Sequence, residues 1–213
     1  MTAPGRLAPR KTPRQERARH TVAAILTAAA QVFERRGYAA GTTDRIAERA
    51  GVSVGSLYQY FPNKDSILVT LAERHMDGGV AVIRRLLEEV RAEAESGRVD
   101  LESVLRRFVE TMVRLHRYEP NLNRVLFEET PLPAGVRRRL EQLERGLADE
   151  VRGLLERVPS VDVPDTALAA YLLVQAVENL VHGFILHPPP EIAADRFVDD
   201  LVRMLSRYLT RGA

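Results

Sequence analysis

TTDRIAERAGVSVGSLYQYF, residues 42–61, reads as two short helices and the turn that joins them. Thr43 has the side chain of an N-cap and is followed by the acidic Asp44 in the first turn, where a carboxylate favours the helix dipole. Ile46, Ala47 and Ala50 form a short apolar face, and Gly51 stands where the chain needs a positive φ to leave the helix. Ser53 can cap a second helix that carries Leu57, Tyr58 and Phe61. Two short helices joined by a glycine-containing turn of about three or four residues make a helix-turn-helix. Ala47 is small where the two helices must approach, and Leu57 has the bulk to fill the space between them.

The flanking sequence is helical as well. Residues 1–13 hold Pro4, Pro9, Pro13 and Gly5 among basic residues with no apolar period, the composition of a flexible arm. From about Gln15, Val22, Ile25, Leu26, Ala29, Val32 and Phe33 recur at three- and four-residue spacing, and the pattern stops at Gly37. Downstream, helices are expected from Asn63 to about Glu95 with a weak point at Gly78-Gly79, from Leu101 to His116, from Asn121 to Glu129, from Ala134 to Val158, from Asp165 to His187 and from Glu191 to Leu209. Strand-like alternation is absent, and breaks fall at Gly, Pro and Asn clusters. The fold class is therefore all-α, with about nine helices. Asp165–His187 is apolar almost all round, whereas Glu191–Leu209 concentrates Val198, Leu201, Val202, Leu205, Tyr208 and Leu209 on one stripe. Monomer core and a two-fold four-helix bundle are both compatible with that pattern.

Composition narrows the classes. The chain has 213 residues, no cysteine, 45% hydrophobic and 28% charged side chains. That length buries a real core in one or two domains, and the hydrophobic fraction excludes wholesale disorder. Absence of cysteine excludes disulfide scaffolds, thiolate zinc sites and cysteine nucleophiles, and fits a reducing compartment. We expect charges to interrupt the apolar stretches short of the roughly 18–20 residues of a membrane span, and no apolar run follows the basic N-terminus as in a secretory signal. The expectation is a cytoplasmic protein without a membrane partner. Its net charge of +2 hides a division: residues 1–64 carry 11 Lys and Arg against four Asp and Glu, a net +7, and the remainder carries 20 against 25, a net −5. A basic head on an acidic body suggests a polyanionic partner for the head.

The run FERRGYAAGTTDRIAERAGVSVGSLYQYFPNKDSIL, residues 33–68, resembles the DNA-binding domain of TetR/AcrR-type transcriptional regulators. The resemblance extends from about Arg19 to Gly79 and rests on Gly37-Tyr38, Thr42-Thr43, the turn Ala50–Ser53, and Leu57, Tyr58, Tyr60 and Phe61 before Lys64. It implies an arm over residues 1–18, a helix-turn-helix domain over 19–79 with the motif at 42–61, and a helical ligand-binding and dimerisation domain over 80–213. It also implies that a recognition helix over residues 53–58, beginning at Ser53, enters the major groove, with Val54 and Ser56 at base edges and Gly55 letting the backbone approach, and with Gln59 beside them. Thr42, Thr43, Arg45, Tyr58, Tyr60 and Lys64 would then meet phosphates or flank them, with Arg14, Arg17 and Arg19 adding backbone or minor-groove contacts. Many family members carry a lysine where Val54 stands, which here shifts weight to Ser56, Gln59 and apolar contacts.

For the body the resemblance implies an inducer pocket. Candidate lining residues are Phe108, Met112, His116, Asn121, Phe127, Tyr171, Gln175, Glu178, Asn179 and His182, of which Glu178 and His182 share a helix face. An enzyme is not expected. Glu128 and Glu129 are adjacent and diverge on a helix, no histidine lies in an H-E-x-x-H pattern, and no phosphate loop or dinucleotide fingerprint occurs. No cofactor or metal is implied. The resulting reading is a homodimer, paired through helices 165–187 and 191–209, that binds a palindromic DNA operator and represses transcription until a small molecule binds. The alternative is a nucleoid or division factor with no small-molecule ligand, and a closed apolar cavity of roughly several hundred Å³ would separate the two.

Overall fold

The computed structural model describes residues 16–97, 99–117, 123–129 and 133–210. Among the described residues every regular element is helical: α1 (Glu16–Ala40), α2 (Thr43–Ala50), α3 (Val54–Tyr60), α4 (Lys64–Glu95), α5 (Leu101–Arg117), a π-helical turn (Val125–Glu129), α6 (Ala134–Leu155), α7 (Thr166–Leu186) and α8 (Ala194–Leu209). That is eight α-helices and one π turn where about nine helices were expected.

Most boundaries follow from local chemistry. Gly37, at φ +71°, breaks α1 at the predicted stop. Asp165 caps α7 by accepting from the Leu168 N–H at 2.9 Å. Three boundaries differ from expectation. Residues 16–18 of the arm expected over 1–18 belong to α1, and the rest of that span lies outside the described residues. Residues 121 and 122 lie outside the described residues, and the helix expected there is represented by the π turn. The last helix starts at Ala194, three residues after the predicted Glu191, because the Ile192 N–H closes a turn onto the Pro189 carbonyl at 3.1 Å and uses those residues before the helix can start.

The chain divides into two units. The first holds residues 1–77 and 119–137, and the second holds 78–118 and 138–213. The boundary within α4 falls next to Gly78-Gly79, yet α4 is continuous through the pair. In the first unit Ile25, Ala29 and Phe33 of α1, Ile46 and Ala47 of α2, Leu57 of α3, Phe61, and Ile67 of α4 are fully buried. In the second unit α5 packs on α7 and α8, burying Val109, Val177, Val181 and Val202 completely. Phe184 stacks on Phe197 with centroids 4.1 Å apart, closing one end of the α7–α8 pair. Arg106 bridges to Asp199 at 2.6 Å, tying α5 to α8.

α7 corrects one expectation. By length and composition alone it is long and apolar enough to cross a membrane, since Glu178 and His182 are its only ionisable residues apart from Tyr171. Its inner side, Ala169, Leu173, Val174, Val177 and Val181, is spent on the core of the second unit.

One close approach was invisible in the sequence. A Cβ placed on Gly41 would lie 2.5 and 2.7 Å from ring atoms of the fully buried Phe33. Gly41→Ala is therefore expected to cost about 1–3 kcal/mol, as overpacking does, and to lower the urea midpoint. An unchanged midpoint would mean that the Phe33 ring yields at no cost.

Candidate nucleic-acid interface

The helix-turn-helix is assembled by short-range hydrogen bonds. Thr42, not Thr43, is the cap of α2: its backbone is extended and its hydroxyl accepts from the Arg45 N–H at 3.4 Å. The reason lies upstream, where the Thr42 N–H donates to the Ala40 carbonyl at 3.1 Å, so the reversal ends one residue earlier than side-chain preference suggested. α2 ends at Gly51 in the left-handed region, φ +68°, with the Gly51 N–H on Glu48 and the Val52 N–H on the Ala47 carbonyl. Ser53 then caps α3, accepting from the Ser56 N–H at 3.1 Å. Ala47 and Leu57 are fully buried at the crossing.

The opposite side of α3 is exposed. At 100° per residue, Gly55 and Gln59 lie on the side of α3 away from Leu57, and both are exposed. Val54 and Tyr58 flank them at 37% and 39% exposure. Tyr58 and Thr43 bring their hydroxyls to 3.1 Å, joining two of the candidate phosphate contacts, while Tyr60 is half-buried. The Ser53 and Ser56 hydroxyls are 2.8 Å apart. No residue of α3 is charged. The cations around it are engaged: the Arg45 guanidinium donates to the Ala40 carbonyl at 2.5 Å, and Arg49 Nε donates to Gln31 Oε1 at 2.5 Å. Lys64 Nζ donates to the Tyr38 carbonyl at 2.7 Å and sits 3.9 Å from the centroid of that tyrosine ring. Arg17 and Arg19 are exposed on α1, and Arg14 lies outside the described residues.

Tyr38 is a junction that sequence reasoning noted only as part of a motif. Its hydroxyl bonds Asp65, and its phenol is held above the ordinary range, first by burial and then by that carboxylate's hydrogen bond and charge. Its N–H donates to Glu129 Oε2 at 2.8 Å, and the same oxygen would lie 3.0 Å from a Cβ on Gly37. Gly37 is thus required both by its φ and by the carboxylate beside it. Nothing in the local sequence announced Glu129, which is 91 residues away from Tyr38.

Residues 25–71 match the bacterial regulatory proteins of the tetR family, and residues 100–209 match the tetracyclin repressor-like C-terminal domain. The chain belongs to the TetR family. It is 35% identical over 104 residues to the HTH-type transcriptional activator FasR of Mycolicibacterium smegmatis, a stretch covering 49% of this chain and 44% of FasR, so it spans less than half the length of that relative. It is 31% identical over 169 residues to the nucleoid occlusion factor SlmA of Vibrio atlanticus, covering 76% of this chain and 82% of SlmA. The fold is similar to that of the transcriptional regulator FadR of Bacillus subtilis in complex with stearoyl-CoA, with a TM-score of 0.64 at 21% identity over 88% of this chain and 98% of FadR.

In this TetR-family protein the residues singled out for a ligand fall into separate groups. A cavity of about 50 Å³ lies in the second unit between the end of α4, the start of α5 and the end of α6, lined by apolar residues such as Leu87, Val90, Leu105, Phe108, Leu154 and Leu173. Phe108 is the candidate that lines it. Met112 and His116 lie further along α5, and His116 Nδ1–H donates to the Met112 carbonyl (2.9 Å), with its Nε2 3.5 Å from Glu178 and its ring edge-on to His182. Gln175 donates to Glu144 at 2.9 Å, Asn179 donates to the Gln175 carbonyl at 2.8 Å, and Tyr171 is exposed. Asn121 and the side chain of Phe127 lie outside the described residues.

His116 gives a pH signature. Burial opposes its charge, but the Glu178 hydrogen bond and charge, with the Met112 carbonyl, outweigh burial and hold its pKa above the usual 6.5. A raised folded-state pKa adds stability that is complete below the unfolded value and lost as pH rises through the folded one. The melting temperature is expected to fall as pH rises above the ordinary imidazole value of about 6.5, and Glu178→Gln to flatten that slope. An equally steep slope in the variant would remove Glu178 as the cause.

Proposed function

We propose that this protein is a cytoplasmic, ligand-responsive regulator that binds a palindromic operator as a homodimer and represses transcription until a small apolar molecule binds. The helix-turn-helix supports the operator. Thr42, Thr43, Tyr58 and Tyr60 are the phosphate contacts of this reading, and Lys64 joins them on release from the Tyr38 carbonyl. Two such heads read a palindrome when their recognition helices are about 34–36 Å apart. The dimer is supported by the outer face of α7, where Leu168, Tyr171, Leu172 and Leu180 are exposed, and by Met204 and Tyr208 on α8.

The observation that carries the ligand reading is the apolar lining of the cavity. Aliphatic walls offer no anchor to a polar inducer and suit a hydrocarbon chain, which accords with the stearoyl-CoA complex of FadR. At about 50 Å³ the cavity falls short of the roughly several hundred Å³ expected of a ligand site, so on this reading an acyl chain enters by displacing lining side chains. It shifts DNA binding only through its different affinity for the two states. The test is operator binding by the full chain, on sites selected from random DNA, with and without palmitoyl-CoA and stearoyl-CoA. Release from the operator is expected. Unchanged binding at saturating acyl-CoA defeats the ligand reading and favours the second one, a ligand-independent nucleoid or division factor, which the likeness to SlmA supports.

A further inference from the structure

A recognition helix normally identifies guanine with arginine or lysine, adenine with asparagine or glutamine, cytosine with a carboxylate, and thymine by contact with its C5-methyl group. α3 contains no Arg, Lys, Asp or Glu, and the two arginines of α2 are folded back onto the Ala40 carbonyl and Gln31. Its small hydroxyls are engaged with each other, Ser53 with Ser56, and the Tyr58 hydroxyl with Thr43. What remains pointing outward is Val54, Gly55 and Gln59.

Each of the three suits one task. Val54 is β-branched, which leaves its methyl groups little rotamer freedom on a helix, and at 37% exposure it presents a fixed apolar knob to solvent. Gly55 sits inside a short helix, where glycine is costly, yet a Cβ there would meet nothing closer than Ser53 Oγ at 3.9 Å. The fold itself therefore leaves room for a side chain at Gly55, and its lack leaves space for a close partner outside. Gln59, one turn along the same face, supplies an amide that can donate and accept at once.

We propose that α3 reads A·T pairs, with the Val54 methyls packed on a thymine C5-methyl, the Gln59 amide bidentate to adenine N6 and N7, and Gly55 letting the helix settle deep enough for both. The helix carries no arginine or lysine, the usual readers of guanine. The proposal rests on the reading of α3 as the helix that enters the major groove.

The experiment uses the full chain and its half-site selected from random-sequence DNA, with single-atom changes made on the DNA. Replacing each thymine in turn by uracil removes only the methyl. One position is expected to lose about fourfold in affinity, the worth of one buried methyl group, and Val54→Ala is expected to lose the same factor on thymine DNA and become indifferent to uracil there. Replacing adenine by 7-deazaadenine is expected to cost about 5-fold to 150-fold at one position, the range of a bidentate contact, with Gln59→Ala insensitive to the change. Both side chains are exposed, and circular dichroism is the check that the variants fold. Val54→Thr, which keeps the shape and loses one methyl, serves as the second variant. A half-site whose sensitive positions are guanines, or a Val54→Ala protein that keeps its full response to uracil, overturns the proposal while leaving groove binding intact. Failure to select any site at all overturns groove binding by α3 and the proposal with it.

Discussion

In the proposed homodimer, Leu172→Glu is expected to convert dimers to monomers and to weaken operator binding by about two orders of magnitude or more. Leu172 is 42% exposed on α7 and lies beside Leu168 and Tyr171, each 51% exposed. Large apolar side chains are not held at such exposure over a continuous helix face without a partner, and the inner side of the same helix is already committed to the core. A carboxylate there places two like charges near the two-fold axis of an isologous interface, because each residue recurs on the partner copy. Operator affinity falls further than any single contact accounts for, since the second head binds at an effective concentration that exists only in the dimer, a gain of about 10²–10⁴. Sedimentation gives the assembly state, and salt-matched binding to a palindrome and to a half-site gives the affinity. A dimeric variant with unaltered affinity would move the interface off this face.

Leu57→Ala is expected to remove about 3–4 kcal/mol from the first unit, within the 2–5 kcal/mol range of buried leucine truncations. Leu57 has no solvent exposure, nor do Ile46, Ala47 and Phe61 in the same small core. With two short helices, eight and seven residues long, neither α2 nor α3 is stable by itself, and each depends on that packing. The loss should appear as a lower urea midpoint and as loss of binding to every DNA sequence. Val54→Ala, on the exposed side of the same helix, should leave the midpoint unchanged and alter only sequence preference. If both variants lost stability equally, the division of α3 into a buried and a reading face would be wrong.

Much of the head was legible in the sequence because its geometry is set within a few residues. Gly51 and Ser53 were readable as a left-handed stop and a cap, since a missing Cβ and a short hydroxyl act on their own backbone. The cap of α2 was misplaced by one residue because two threonines are equally suited to it, and the turn onto Ala40 selects Thr42. Gly41 was passed over because its neighbour is the Phe33 ring, and Glu129 because it reaches Tyr38 from a distant part of the chain.

The body was legible as helices but not as a site. Of the aromatic and polar candidates on α5 and α7, Phe108 lines the cavity, and its other walls are leucines and valines such as Leu87, Val90, Leu105, Leu154 and Leu173. In sequence these residues are indistinguishable from any other core face, since periodicity shows which side of a helix is apolar and not whether its neighbours fill the space opposite. The amino-acid sequence by itself determined the helices, the stop of α2 at Gly51 and the cap of α3 at Ser53, the basic head on an acidic body and the family. Tertiary structure alone decided that Lys64 is tied to the Tyr38 carbonyl, that His116 meets Glu178, and where unfilled volume lies. Those are properties of distances between remote segments, which local chemistry does not encode.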